Sequence, residues 1–219
     1  MFAYSLSGLK VDPAAAGDVL EVEESELTAR SAVYQVLGQL FSAPDGEHHA
    51  KVTDGRWVKE LEVAAELLAF PWEIGECPDP GDAAAHRAEY DRLFFADVGG
   101  LSRMWGGAHS GDRAQLLVEL QRSYEYYGLG AGEADVPPDH LAAELDFLQY
   151  LTFKEAAASS PRLGKSFRRA QLDFLSRQLG AWLPALAEQV EAAGPAPFWA
   201  WAMGRLTTFV TADTAWANS

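Results

Sequence analysis

PPDHLAAELDFL, residues 137–148, is the stretch of this chain that carries the strongest structural information. Its double proline ends the preceding segment and favours an extended approach to whatever follows. Asp139 then stands where a helix N-cap belongs, with a carboxylate able to accept from free backbone N–H groups. In the amphipathic pattern that starts here, His140 and Glu144 lie one turn apart on one face, and Phe147 continues that face. The pattern predicts a binding surface at the start of a helix.

Outward from this stretch, the chain reads as helices separated by Gly- and Pro-rich breakers. No segment alternates with period two in β-branched residues, so strands are not expected, and no heptad repeat persists. The pattern predicts an all-α fold, a single irregular helical domain of about seven to nine helices. The expected helices cover about 25–42, 57–70, a segment after Gly81 that includes Tyr90, Leu93 and Phe94, 112–127, 140–158, 161–179, 184–193 and 197–211, with a break at Trp182-Leu183-Pro184.

The first 24 residues differ in composition from the rest. A breaker-rich run at 12–17 is followed by a cluster of glutamates at 21, 23, 24 and 26. Such a segment buries little apolar surface. We therefore expect residues 1–24 to be a flexible acidic extension and residues 25–219 to form the helical domain.

The charge balance restricts the class of partner. The chain carries 17 Lys and Arg against 32 Asp and Glu, a formal net charge of −15. Such an excess repels nucleic acid and anionic membrane and favours a basic partner. The single cysteine, Cys77, allows no internal disulfide. No secretory signal and no apolar run of about 20 residues is present, so we expect a cytoplasmic protein without membrane insertion.

A Gly-rich loop covers residues 98–111 and carries the large apolar residues Leu101, Met104 and Trp105. Large apolar side chains in such a connector indicate a loop that packs onto something or receives a ligand. Its glycine pairs are not a phosphate cradle, because no Gly-Lys-Ser/Thr ending follows them.

His140 and Glu144 could also supply two metal ligands from one helix face. A metal site needs a third and a fourth ligand, and His48-His49, His86 and His109 lie in unrelated segments. An acid/base pair for catalysis would need a nucleophile or substrate pocket that the sequence does not announce. A capped helix start is the simplest interpretation, and a binding role is its main alternative.

Two further patterns have structural interpretations. Lys165-Ser166-Phe167-Arg168-Arg169 lies in mid-helix, far from the N-terminus, and predicts a basic helix face rather than an export signal. The aromatic residues Phe198, Trp199 and Trp201 are interpreted as core, with a partner surface as the alternative.

Four ordered segments give the chain a family resemblance. From about residue 26 to 212 it resembles the TorD/DmsD/NarJ group of redox-enzyme maturation chaperones, which assemble molybdenum enzymes. The segment at 137–148 is the most specific of the four. The segments are Arg30-x-x-x-Tyr34-x-x-Leu37-x-x-Leu40-Phe41-x-x-Pro44, Glu89-Tyr90-Asp91-Arg92-Leu93-Phe94, Pro138-Asp139-His140-Leu141-x-x-Glu144-Leu145-x-Phe147-Leu148, and Phe174-Leu175-x-x-Gln178-Leu179-x-x-Trp182-Leu183-Pro184.

The chain also departs from the family pattern. Gln178 stands where the family often has histidine, and residues 96–100 replace a common Gly-Pro. Residues 108–113, Ala-His-Ser-Gly-Asp-Arg, are similar to the nitrate-reductase assembly branch. The resemblance points to an intermediate branch that serves periplasmic molybdoenzymes such as selenate, chlorate, dimethyl sulfide or ethylbenzene oxidoreductases.

The resemblance implies binding without turnover, with no catalytic residue, no metal and no cofactor. The client would be the catalytic subunit of a molybdenum oxidoreductase, bound through its twin-arginine N-terminal leader or as the leaderless apo form. The chaperone would be a monomer or a homodimer. A helical adaptor for a mature enzyme complex is the second hypothesis, and a helical enzyme the third. The candidate peptide-binding residues are Tyr90, Leu93, Phe94, Trp105, Pro138, Asp139, His140, Glu144 and Phe147.

Overall fold

The structure, a computed structural model, describes residues 10–11, 26–95, 102–130 and 136–219. Within these ranges the chain forms nine α-helices, which confirms the predicted all-α class and helix number. A short 3₁₀ helix, Gly106–Ala108, interrupts the Gly-rich loop. The helices are α1 Glu26–Leu40, α2 Gly46–Thr53, α3 Arg56–Leu67, α4 Ala83–Phe94, α5 Arg113–Tyr126, α6 Leu141–Ala156, α7 Pro161–Arg177, α8 Leu179–Ala192 and α9 Pro197–Ala217.

Four helices begin at an aspartate or serine whose side chain caps the first turn. The backbone N–H three residues further on donates to each cap, which satisfies one of the free donors of the first turn. Asp112, the predicted start of the fourth helix, is such a cap. The caps are Asp45, Asp82, Asp112 and Ser160, at 2.8, 2.8, 3.0 and 3.3 Å from the donating nitrogen.

Two helices depart from the sequence prediction. Helix α2 was not predicted, because its eight residues include only two buried side chains, His48 and Val52, and so show little apolar periodicity. The predicted break at Pro184 is wrong, since α8 continues through this proline. A proline removes one backbone hydrogen bond, and the burial of Trp182, Leu183 and Leu186 on the same helix compensates for that loss.

Helix α6 lies at the centre of the fold and packs against α1 and α7. The amphipathic pattern predicted for it is wrong, because 13 of its 16 residues are buried. A helix buried on every side is a core element rather than one with an open face. Its polar side chains, among them Glu144 and Glu155, therefore find their partners inside the protein.

A buried ionic network joins α1 to three other helices. The Arg30 guanidinium donates to Asp213 on α9 at 2.5 and 3.1 Å, to Glu155 on α6 at 3.1 Å and to Gln171 on α7 at 2.6 Å. Tyr34 donates its hydroxyl to the same Asp213 at 2.6 Å. Arg30 and Tyr34, the first residues of the family-like opening segment, are thus the residues that fix α1 to the core.

Three histidines form a second polar cluster, between α2 and α4. The Nδ1 atoms of His49 and His86 lie 3.2 Å apart, and the rings of His48 and His86 are centred 5.2 Å apart. Burial lowers the pKa of His48 to about 3 and that of His86 to about 4. Both rings are therefore neutral at neutral pH. We call these three residues the histidine cluster.

The strand prediction needs a small amendment. Lys10–Val11 pairs antiparallel with Leu129–Gly130, two residues on each side. The rest of the predicted extension, residues 1–24, lies outside the described residues, and so its flexibility stays a prediction. In the part of the chain that the structure describes, no helix is long and apolar enough to cross a membrane.

Candidate functional site

The described part of the Gly-rich loop, residues 102–111, lies against the residues that lead into α6. Trp105 and His140 form an antiparallel β-bridge, Gly106 donates its N–H to the Asp139 carbonyl at 2.7 Å, and Leu141 donates to the Met104 carbonyl at 2.7 Å. Described residues 102–111 thus pack as the sequence predicted. Leu101 and the glycines at 99 and 100 lie outside the described residues.

His140, not Asp139, is the N-cap of α6. Its backbone is extended, with φ −79° and ψ 143°, and its Nδ1 accepts from the Ala142 N–H at 3.2 Å. Burial lowers the pKa of His140 to about 4, so the imidazole is neutral and has a free lone pair for this bond. The capping role assigned to Asp139 is wrong because its carboxylate has other partners.

Asp139 is fully buried and pairs with a cation at the surface. Its carboxylate accepts from Arg113 Nε at 3.1 Å, from Arg113 Nη2 at 3.3 Å and from the Gly107 N–H at 3.1 Å. The Arg113 side chain is 50% exposed, whereas that of Asp139 is 0% exposed. The pair therefore places a buried anion directly behind a solvent-accessible cation.

Glu144 is the second buried carboxylate of this region. Trp182 donates its indole N–H between the two carboxylate oxygens, at 3.2 and 3.1 Å. Burial raises the pKa of Glu144 well above its ordinary value, and the nearby Asp139 raises it further, while the Trp182 bond acts in the opposite direction. The His109 ring stacks on the indole, with centroids 5.4 Å apart. The described surroundings of Glu144 are those of a core carboxyl group held by an indole.

The glycine pair of the loop makes this packing possible. A Cβ at Gly106 would lie 3.0 Å from Trp182 Nε1 and 3.3 Å from Glu144 Oε1. A Cβ at Gly107 would overlap the Arg113 side chain, with its Cδ at 2.6 Å. Side chains at either position would displace the groups that hold the two carboxylates.

The other predicted site residues fall into two places. On α4, Tyr90 and Phe94 lie with Leu93 in the core, and the first two contact the Trp199 ring at 5.6 and 5.4 Å between centroids. On α6, Phe147 contacts the rings of Tyr124 and Phe174, each at 4.8 Å. These four candidate peptide-binding side chains therefore pack against other side chains of the protein. The expectation that Phe198 and Trp199 are core is confirmed, since they are 0% and 1% exposed.

Three predicted residues remain accessible and lie together. Trp105, Pro138 and His140 are half-buried, and the bridge between Trp105 and His140 puts them on one edge beside the Arg113–Asp139 pair. We call Trp105, Arg113, Pro138 and His140 the loop–helix edge. Sequence reasoning missed Arg113 as a site residue, although it ends the segment 108–113 that is similar to the nitrate-reductase branch.

Among the described residues, His140 and Glu144 have no third and fourth ligand that would complete a metal site. No group of three or more His, Cys, Asp or Glu side chains in the described ranges is placed to hold a metal ion. His140 caps α6 through Nδ1 and Glu144 binds Trp182, so the two residues already have separate partners.

Comparison with known proteins agrees with the sequence resemblance. The model of the nitrate reductase delta subunit family matches residues 59–188. Over 177 residues, 75% of this chain and 79% of the other, the chain is 32% identical to the perchlorate reductase assembly chaperone protein of Dechloromonas aromatica. It is 33% identical over 175 residues, 77% and 80% of the two chains, to the selenate reductase assembly chaperone protein of Thauera selenatis. A shorter match, 43% over 89 residues and 38% and 37% of the chains, is to the chaperone protein TorD of Vibrio cholerae.

Proposed function

Because this chain belongs to the TorD/DmsD/NarJ family of redox-enzyme maturation chaperones, we propose that it is a system-specific assembly chaperone for a molybdenum oxidoreductase. It binds the immature catalytic subunit and holds it until the cofactor has been inserted. The observation that carries the proposal is the similarity over three quarters of the chain to proteins named as reductase assembly chaperones. Binding without catalysis, in the cytoplasm before export, is part of the same proposal.

The Arg113–Asp139 ion pair suits the binding of a cationic leader peptide by exchange of one arginine for another. A carboxylate that is 0% exposed needs a cation, and Arg113 supplies it from a half-exposed position. An arginine of the client can replace Arg113 without changing the charge of the site, and it can use the same two-pronged hydrogen bonding. Arg113 then swings into solvent. The net charge of −15 attracts such a leader from a distance.

The loop–helix edge supplies the first apolar contact for the leader. Trp105, Pro138 and His140 are its half-buried residues, whereas Tyr90, Leu93, Phe94 and Phe147 are buried. The apolar part of the leader therefore meets Trp105 and Pro138 first. Contact with Tyr90, Leu93 and Phe94 requires the loop or α4 to move.

The client and its state are tested by affinity purification of the chain from the cytoplasm of its native cells. Mass spectrometry then identifies the retained proteins and their N-termini. We expect a cofactor-free molybdenum subunit with its leader uncut. The same subunit without a leader would favour the leaderless mode. A mature enzyme complex instead would favour the adaptor, and absence of any such subunit from cells that express one would contradict the proposal.

The leader site is tested separately with a fluorescent peptide that carries the client's N-terminal sequence. Asp139→Asn keeps the shape of the side chain and its bond from Gly107 but removes the charge. We expect the affinity for the peptide to fall about tenfold, the effect of losing one charge-assisted pair. The control is Asp91→Asn, which removes a carboxylate that pairs with Arg87 on the α4 surface. Equal affinities of the two folded variants would contradict this site.

A further inference from the structure

A cavity of about 580 Å³ opens between α5, α6 and α7, and the proposed leader site does not use it. Arg122 and Tyr126 line it from α5, Arg169 from α7 and Gln178 from the junction of α7 and α8. Phe147 and Phe174 supply apolar wall. We call it the arginine cavity.

The charge of the arginine cavity is opposite to that of the chain. Both Arg122 and Arg169 are exposed, and neither forms an ion pair with any described residue. Asp173 is the cavity's carboxylate, and it already accepts from Arg177 Nε at 2.9 Å. In a chain with 32 acidic and 17 basic residues, two guanidiniums that the described residues leave without an ion pair form a local site for an anion at this cavity.

Gln178 adds a requirement that a simple anion does not meet. Its side chain is 92% buried, and its Oε1 has no hydrogen-bond partner among the described residues. A buried acceptor without a hydrogen-bond partner is destabilising, so a ligand that brings a donor is favoured. A peptide brings backbone N–H donors next to its carboxylates, whereas a fully ionised phosphate or sulfate brings acceptors alone.

The aromatic wall adds the third requirement. Tyr126 is 82% exposed, and its ring lies 4.9 Å from that of Tyr127. With Phe147 and Phe174 it offers a surface for an apolar side chain. Carboxylates, a backbone N–H and an apolar side chain together define an acidic peptide.

The arginine cavity and the proposed leader site both contact α6. Phe147 lies one turn after Glu144 on α6, and Gln178 lies one turn before Trp182, the residue that binds Glu144. From His140 to Phe147 the separation along α6 is roughly 10 Å at 1.5 Å per residue. An extended peptide covers that distance in roughly three residues.

We propose that the arginine cavity docks an acidic, apolar segment of the client subunit, with its carboxylates on Arg122 and Arg169 and a backbone N–H on Gln178. The identity of the client rests on the proposed function, whereas the chemistry of the ligand rests on the cavity alone.

The first test measures the affinity of the full-length chain for the purified, cofactor-free client subunit. The variant Arg122→Gln/Arg169→Gln removes both cavity charges, and Arg162→Gln/Lys165→Gln removes two exposed charges of α7 that do not line the cavity. We expect the first pair to weaken binding about tenfold or more and to reduce its salt dependence, and the second to change it by less than about twofold. Equal losses in the two double variants would overturn the proposal.

The second test needs no client and separates the two proposals. A synthetic six-residue peptide of alternating glutamate and leucine is titrated into ¹⁵N-labelled protein, and the Gln178 side-chain amide signal is followed by NMR. We expect a saturable shift that Arg122→Gln/Arg169→Gln abolishes and that a lysine–leucine peptide does not produce. An equal shift with inorganic phosphate alone would mean a plain anion site and would overturn the peptide proposal. A peptide response without client binding would reject the proposed function and keep the cavity site.

Discussion

Replacing Arg30 by methionine tests the ionic network that joins four helices. Arg30→Met keeps much of the side-chain volume but removes the cation from Asp213 and from Glu155. Before the change, the network holds two cations and two anions, since Arg168 also donates to Glu155 at 2.6 Å. Afterwards it holds one cation and two anions, and Asp213 keeps only the Tyr34 hydroxyl among the donors described above.

The magnitude follows from the burial of these groups. Arg30 and Asp213 have side chains 1% and 0% exposed, so water cannot replace the lost partner. Removing one partner of a buried ion pair destabilises a protein by about 3–5 kcal/mol. For a domain of this size, each kcal/mol lowers the melting temperature by about 2–4 °C, and we therefore expect a loss of about 6–20 °C.

The assay is thermal and guanidinium unfolding, followed by circular dichroism at neutral pH. The control Arg168→Met breaks an ion pair whose arginine is 36% exposed, and we expect it to lower the free energy of unfolding by about 1 kcal/mol. Adding Asp213→Asn to Arg30→Met removes the stranded charge and should recover part of the lost stability. The reasoning is refuted if Arg30→Met lowers the stability no more than Arg168→Met does. It is also refuted if the destabilisation by Asp213→Asn alone adds in full to that by Arg30→Met in the double variant.

Two further predictions concern the loop and the histidine cluster. Gly107→Ala should displace Arg113 and lower the free energy of unfolding, measured in denaturant, by about 1–3 kcal/mol. The control Gly111→Ala places a Cβ with nothing within 4 Å and should change the free energy of unfolding by less than about 0.5 kcal/mol. Equal effects of the two variants would contradict the close packing of Gly107 against Arg113. The lowered pKa values of His48 and His86 mean that the unfolded chain binds more protons as pH falls from about 6.5 towards 4, so stability falls with pH. Each of the two should contribute a loss of about 2 kcal/mol between pH 7 and 5, about 4 kcal/mol together, in addition to the loss from His140, whose pKa burial also lowers to about 4. The slope should be smaller in His48→Phe, and an unchanged slope in that variant would exclude His48 as a source.

The sequence predicted most of the helices, because their caps and apolar periodicity are local signals. Asp112 caps α5 where the pattern places it, and Pro161 begins α7. The prediction failed at Pro184, where burial of neighbouring side chains outweighs the local preference of proline. Local helix propensity contains no information about how much apolar surface of a segment the rest of the fold buries.

The candidate site was predictable as a place but not as a set of contacts. The segment at 137–148 does meet the Gly-rich loop, and both were selected from sequence. Which carboxylate faces which partner depends on contacts distant in sequence, such as Trp182 with Glu144 over 38 residues and Arg113 with Asp139 over 26. Periodicity placed Glu144 on an open face because it cannot register that α6 is covered on every side.

The two proposed sites together make a prediction about the direction of the bound client. The leader site offers a buried anion at Asp139, and the arginine cavity offers two cations, Arg122 on α5 and Arg169 on α7. A client segment with arginine first and acidic residues after it satisfies both sites in one direction only. The reverse direction places arginine against Arg122 and Arg169 and a carboxylate against Asp139, and both contacts are repulsive. A spin label at the N-terminus of the native peptide should therefore broaden the NMR signal of the Trp105 indole more than that of the Gln178 side-chain amide, and equal broadening of the two signals would contradict a single binding direction.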